Sequence, residues 1–190
     1  MIFQPTAITS VQLVRAITAM RVFNEVPTKR KDFKEVKART RIEIARILDE
    51  LGQTCQMQTL YENHPQEFLY DVVWINASGR MELAVECEVS FSVADVLYDF
   101  RKLLHAKAPL KLMLFSDSSQ LQRENIVGKI EEELKSFKGH VPGEEYIVVQ
   151  FCNFHSGCME AYRYEATRSV GLEKFFTHDW RAVDAVISKP

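Results

Sequence analysis

Glycine is scarce in this chain: there are 7 among 190 residues, and no cluster of them forms a Gly-rich phosphate loop. Long apolar runs are missing as well. The N-terminal stretch MIFQPTAITSVQLVRAITAM is interrupted by Gln4, Gln12 and Arg15, which makes it a poor signal peptide and no membrane span. The four cysteines, Cys55, Cys87, Cys152 and Cys158, are scattered through segments that read as structured. Their expected state is free thiol in a reducing cytosol, so the chain is expected to be cytoplasmic and to make no membrane contact. A surplus of charge is also absent. The net charge of -2 gives no overall pull on polyanions, so any nucleic-acid contact must come from local basic patches. No internal repeat and no low-complexity segment breaks the chain. With 46% apolar and 26% charged residues, the length is right for one sizeable domain.

Hydrophobic spacing predicts a helix over 8–23, capped by Thr9 or Ser10, and a clearer one over 33–51 with Gly52 as its C-cap. Residues 54–60 read as a short strand. EFLYDVVWIN and ELAVECEVS follow as strands around the turn Asn76–Arg80. A helix over 92–106 starts at Ser92, and LKLMLFS is a strand after Pro109. Then come a charged helix over 119–138 and the strands YIVVQFCNF and CMEAYRYEA. A tail of short helix and irregular segments starts at Gly171. The strand–helix–strand step over 83–115 implies a parallel crossover. The expected class is α/β, with a mixed central β-sheet and helices on both faces. One domain is expected: an N-terminal helix and basic linker (1–32), a core (33–116), and a C-terminal helix, hairpin and tail (117–190).

The strand ELAVECEVS puts Glu82, Glu86 and Glu88 on one face and Leu83, Val85, Cys87 and Val89 on the other. Pairing Ile75 with Glu82 across the turn sets Asp71 opposite Glu86. Asp71, Val73 and Ile75 then share a face with Ala84 and the glutamates. The apolar members say that this face is covered, and like charges directly opposite are destabilising there. Two remedies exist: a proton on one carboxyl, or a divalent cation between the oxygens. A solvated acidic face, reached by a slip in register, is the plainer alternative. Glu43, at the border of the apolar stripe of the 33–51 helix, is a candidate fourth carboxylate. A surface pairing with Arg39 or Arg46 is its alternative.

An acidic helix residue (Glu43), a strand Asp (Asp71 in LYDVVW), a Glu-x-Glu strand (Glu86 and Glu88 in VECEV), then DFRKLLHAKAPLKLMLF as helix and strand, resembles the PD-(D/E)XK nuclease core. The likeness covers roughly residues 36–116. It implies a restriction-endonuclease-like fold and Mg²⁺-dependent hydrolysis of DNA phosphodiester bonds, with Mn²⁺ as a substitute ion. Asp71 and Glu86 would be metal ligands, Glu88 would orient or deprotonate water, and Glu43 would support a second metal position. Pairing into homo-oligomers is common in enzymes of this type. Two positions depart from the pattern: residue 70 is Tyr where the motif name has Pro, and residue 88 is Glu where most members carry a catalytic Lys. Lys102 on the next helix is the nearest replacement. On a helical wheel it falls opposite Val93 and Leu104, away from the core. The resemblance therefore leaves two functional readings: a metal-dependent deoxyribonuclease, or a catalytically inactive relative that binds nucleic acid or protein.

The run TKRKDFKEVKARTR carries Lys29, Arg30, Lys31, Lys34, Lys37, Arg39 and Arg41. It suits phosphate binding or a solvated helix face. Arg101, Lys102, Lys107 and Lys111 form a second, looser basic group. Cys152, His155 and Cys158 fall across a hairpin tip with no fourth ligand nearby, so buried thiols are expected there rather than zinc. Trp74 is expected in the core beside Val72 and Tyr70. Trp180 is expected in a tail helix or at an oligomer contact.

Overall fold

The structure, a computed structural model, describes residues 8–19, 32–61, 69–89, 92–116, 120–152 and 158–180. The described elements follow in the order α1 (Ser10–Ile17), α2 (Asp32–Thr54), β1 (Gln58–Tyr61), β2 (Val72–Ile75), β3 (Met81–Glu88), α3 (Val93–His105), β4 (Leu110–Ser116), α4 (Gln120–Ser136), β5 (Glu145–Cys152), β6 (Cys158–Glu165) and β7 (Glu173–Asp179). The strands form one seven-stranded mixed sheet in which spatial order equals chain order. β3, β4 and β5 run parallel, and the outer neighbours pair antiparallel. This is the expected α/β architecture with a mixed open sheet.

The parallel strands read as continuous apolar runs because both faces are covered. On β4, Leu112 and Leu114 join Leu13, Ile17, Ile44 and Leu48 beneath α1 and α2. Met113 and Phe115 join Phe100, Leu103, Ile126 and Ile130 beneath α3 and α4. The two crossover helices thus share one face, as helices do when successive strands advance in one direction with one crossover hand. Among the described residues, no helix is long and apolar enough to cross a membrane.

Local chemistry sets the ends of elements. Thr9 accepts from Gln12 N, and the Gln12 side chain accepts from Thr9 N, which closes a capping box at α1. Ser92 accepts from Asp95 N and starts α3. Asn76 Oδ1 accepts from Ser78 N and Arg80 N and folds the β2–β3 turn, with Gly79 at φ 81°.

Three expectations are corrected. The first helix ends at Ile17, and residues 20–23 lie outside the described set. Gly52 does not cap α2, which runs on to Thr54 and is closed by Gln56 at φ 59°. Gly52 is instead where the helix presses on the sheet: a Cβ there would come within 2.8 Å of Thr59 Oγ1 and 3.0 Å of Trp74 Nε1. Within the segment after Gly171, Glu173–Asp179 is not helical or irregular but strand β7, paired antiparallel with β6, while Trp180 is helical as expected and residues 181–190 lie outside the described set. The run of aromatic and β-branched residues in β7, Phe175-Phe176-Thr177, suits a pleated surface. Trp180 follows directly, donates its indole N–H to Thr18 O at 3.0 Å, and packs near Phe151.

Candidate functional site at the carboxyl end of β3

β2 and β3 meet in the expected register over Val72–Trp74, with Val73 opposite Ala84 and Val72 opposite Val85. The ladder shifts at Ile75, which pairs with Met81 rather than Glu82. Glu82 accepts instead from Asn76 Nδ2 at 2.6 Å and from Arg80 at the turn. Glu86 and Glu88 do not face water: they are 1% and 7% exposed. Ala84 belongs to the core beneath α3, so strand alternation sends both glutamates to that side.

Asp71 departs from its expected place. β2 begins only at Val72, so Asp71 is freed from the alternation. Its Oδ2 accepts from the Cys87 backbone N–H at 2.7 Å, where a strand partner would otherwise stand. Its Oδ1 is 3.6 Å from the Arg41 guanidinium of α2. Asp71 lines a cavity of about 240 Å³ together with Arg41, Ile42, Val85 and Cys87. For the same reason Tyr70 does not lie with Val72 and Trp74. Those two pack under α1 and α2, whereas Tyr70 joins the α3 side. Trp74 itself is core, as expected, and its indole N–H reaches Leu48 O at 3.1 Å.

The wheel position of Lys102 is corrected by the length of its side chain. Its Cα stands at the border of the buried stripe of α3, and the aliphatic stem carries the amine inward. Nζ reaches Glu86 Oε1 at 2.7 Å, Asp99 Oδ1 at 3.0 Å and Leu69 O at 3.2 Å. The Glu86 Oε1 is buried, and the Lys102 amine is its close partner. Burial pushes the Glu86 carboxyl up to about 9; Lys102 opposes the rise and the nearby Asp71 charge adds to it. Burial pulls the Lys102 amine down, but contacts with Glu86 and Asp99 outweigh it and hold the ammonium charged. Asp99 was missed in the sequence. The available signal was an acid on the buried stripe, one turn before a lysine.

Glu88 sits opposite Phe115 on β4, at the carboxyl end of the parallel strands. Glu43 is half-buried on α2 and is not among the side chains lining the cavity at Asp71. Among the described residues no group of three or more His, Cys, Asp or Glu is arranged as a metal cage. A magnesium ion is ordinarily held by one or two carboxylates, with waters and substrate oxygens completing its shell. Asp71 and Glu86 are carboxylates of that kind: Asp71 lines the cavity on the α2 side, and Glu86 lies on the α3 side, where its Oε1 already faces the Lys102 ammonium.

The second basic group dissolves into separate contacts. Arg101 binds Glu133 on α4, and Lys107 is exposed. Lys111 is fully buried, 2.9 Å from Glu144 Oε1 and from the Tyr146 hydroxyl. His140 Nδ1 lies 3.2 Å from the same hydroxyl. Of the first basic run, residues 28–31 lie outside the described set, as does His155 of the hairpin tip. Cys158 stands opposite Cys152 in the β5–β6 ladder and is half-buried rather than buried. No family model matches the chain, and no curated protein matches its sequence.

Proposed function

We propose that the protein is a metal-dependent phosphodiesterase acting on DNA, built on a restriction-endonuclease-like core. The observation that carries this reading is the Lys102 ammonium 2.7 Å from Glu86. It supplies, from the following helix, the cation that Glu88 displaces from the strand. Two carboxylates and a lysine at the carboxyl end of a parallel strand are suited to hydrolysing a phosphate ester. Open α/β sheets commonly bind ligands at that edge.

In this reading Asp71 and Glu86 hold Mg²⁺ or Mn²⁺, which when bound polarises the phosphate and acidifies water. Glu88 accepts the proton of the attacking water. Lys102 faces the charge that gathers on the phosphoryl oxygens as the water oxygen bonds to phosphorus and the ester P–O bond breaks, the departing alcohol oxygen taking its proton from solvent water. Arg41 neutralises a neighbouring phosphate. Glu43 is left with a supporting role on α2. A homo-oligomer would serve to cut two strands.

A second reading is favoured by one observation: Lys102 and Arg41 already contact the acids. A binding module for nucleic acid or protein needs no more than that. Incubation with plasmid and single-stranded DNA in Mg²⁺ or Mn²⁺ decides. Cleavage by the wild type, abolished in Asp71→Ala and Lys102→Met, supports the phosphodiesterase. Intact DNA in every lane overturns it in favour of the module.

A further inference from the structure

Six large apolar side chains are exposed among the described residues, and three of them, Ile42, Leu69 and Tyr98, stand around the candidate site. Tyr98 is 67% exposed on α3, with the Lys102 amine 5.9 Å from its ring centre. Leu69 is 58% exposed, and its carbonyl accepts from that same amine. Ile42 is 69% exposed and lines the cavity that holds Asp71 and Arg41. They come from α3, from the segment before β2 and from α2, so no single amphipathic element explains their grouping.

Such a rim is poorly matched to duplex DNA. An intact duplex offers its surroundings mainly charged phosphates and sugars, with the base faces hidden in the stack. Apolar groups beside the phosphate site would then be pressed against charge. A single strand presents both kinds of surface at once: phosphates for Arg41 and Lys102, and open base faces for an aromatic ring and two aliphatic side chains. Base–aromatic stacking is sequence-tolerant and adds to the backbone electrostatics. We infer that the site takes single-stranded DNA, with an unstacked base seated on Tyr98 beside Leu69, the adjoining phosphate directed to Lys102 and Arg41, and Ile42 on the far side of that phosphate site. This rests on the reading that the site receives a nucleic-acid phosphate.

The test is fluorescence anisotropy with labelled oligothymidylate and with the matching duplex, in EDTA so that nothing is cut. The full chain is compared with Tyr98→Ala and Tyr98→Phe. The single strand is expected to bind about tenfold more tightly than the duplex, a margin that Tyr98→Ala removes and Tyr98→Phe keeps. Equal affinity for the two forms, no affinity for either, or an unaltered margin in Tyr98→Ala overturns the inference. A parallel incubation with Mg²⁺ separates it from the phosphodiesterase proposal. Duplex cleavage that ignores Tyr98 overturns the strand preference and leaves the activity standing. Discriminating, ring-dependent binding without cleavage does the reverse.

Discussion

Lys102 and Glu86 meet at 2.7 Å across the junction of α3 and β3, and Asp99 holds the same amine from one turn earlier. The lysine therefore ties a crossover helix to the strand it follows. Replacing it with methionine keeps the stem and removes the charge. Lys102→Met is expected to cost about 2 kcal/mol, less than the roughly 3–5 kcal/mol for breaking a fully buried pair, because the lysine is partly open to solvent. Urea denaturation measures this directly. An unchanged midpoint would mean that the contact adds nothing to stability.

The raised Glu86 carboxyl has a signed consequence for pH. A group that holds its proton more tightly when folded stabilises the fold below its unfolded pKa. That contribution is lost as pH rises from about 4.5 towards about 9. Glu86→Gln removes this loss while leaving Asp99 to hold Lys102. Thermal melts should therefore show the variant gaining on the wild type between pH 5 and about 9. Parallel curves over that window would contradict the assignment.

Gly52→Ala separates two roles for a helical glycine. In an open helix the change gains about 1 kcal/mol. Here the new methyl meets Thr59 and the Trp74 indole, so a loss of about 1–3 kcal/mol is expected. A rise in melting temperature would show that α2 can lift from the sheet at little cost.

Lys111 and Glu144 are both buried, and Tyr146 bridges them. Burial lowers the lysine pKa, and the ion pair with Glu144 works against it. Either Lys111→Met or Glu144→Gln alone strands the partner and is expected to cost about 3–5 kcal/mol. The double variant should recover part of that loss, which a double-mutant cycle in urea would read. Strict additivity would mean that the two groups act independently.

Much of the scaffold was legible because its signals are local. The apolar stripe of α3, the cap at Ser92, the Asn76 turn and the apolar run of β4 each fix an element without help from distant residues. The register at Val73 and Ala84 followed from that turn. The apolar members of the mixed face pointed to partial cover, but spacing alone left a slipped, solvated face as the plainer alternative; the burial of Glu86 and Glu88 decides for cover. The placement of Asp71 was not legible. Alternation holds only inside a strand, and nothing local says that β2 begins one residue later. Lys102 was misplaced because a helical wheel locates Cα atoms and not the end of a four-carbon stem. The Lys111–Glu144 contact spans two strands and a helix, and its partners carry no spacing that links them.

Because each strand lies beside its predecessor, the sheet can be laid down from one side as the chain emerges, with no gap left for a later strand to enter. Asp71, Glu86, Glu88 and Lys102 all precede β4 and sit towards the edge that is laid down first. Variation in the final hairpin and β7 can therefore reshape the far margin of the molecule while the acidic cleft keeps its geometry.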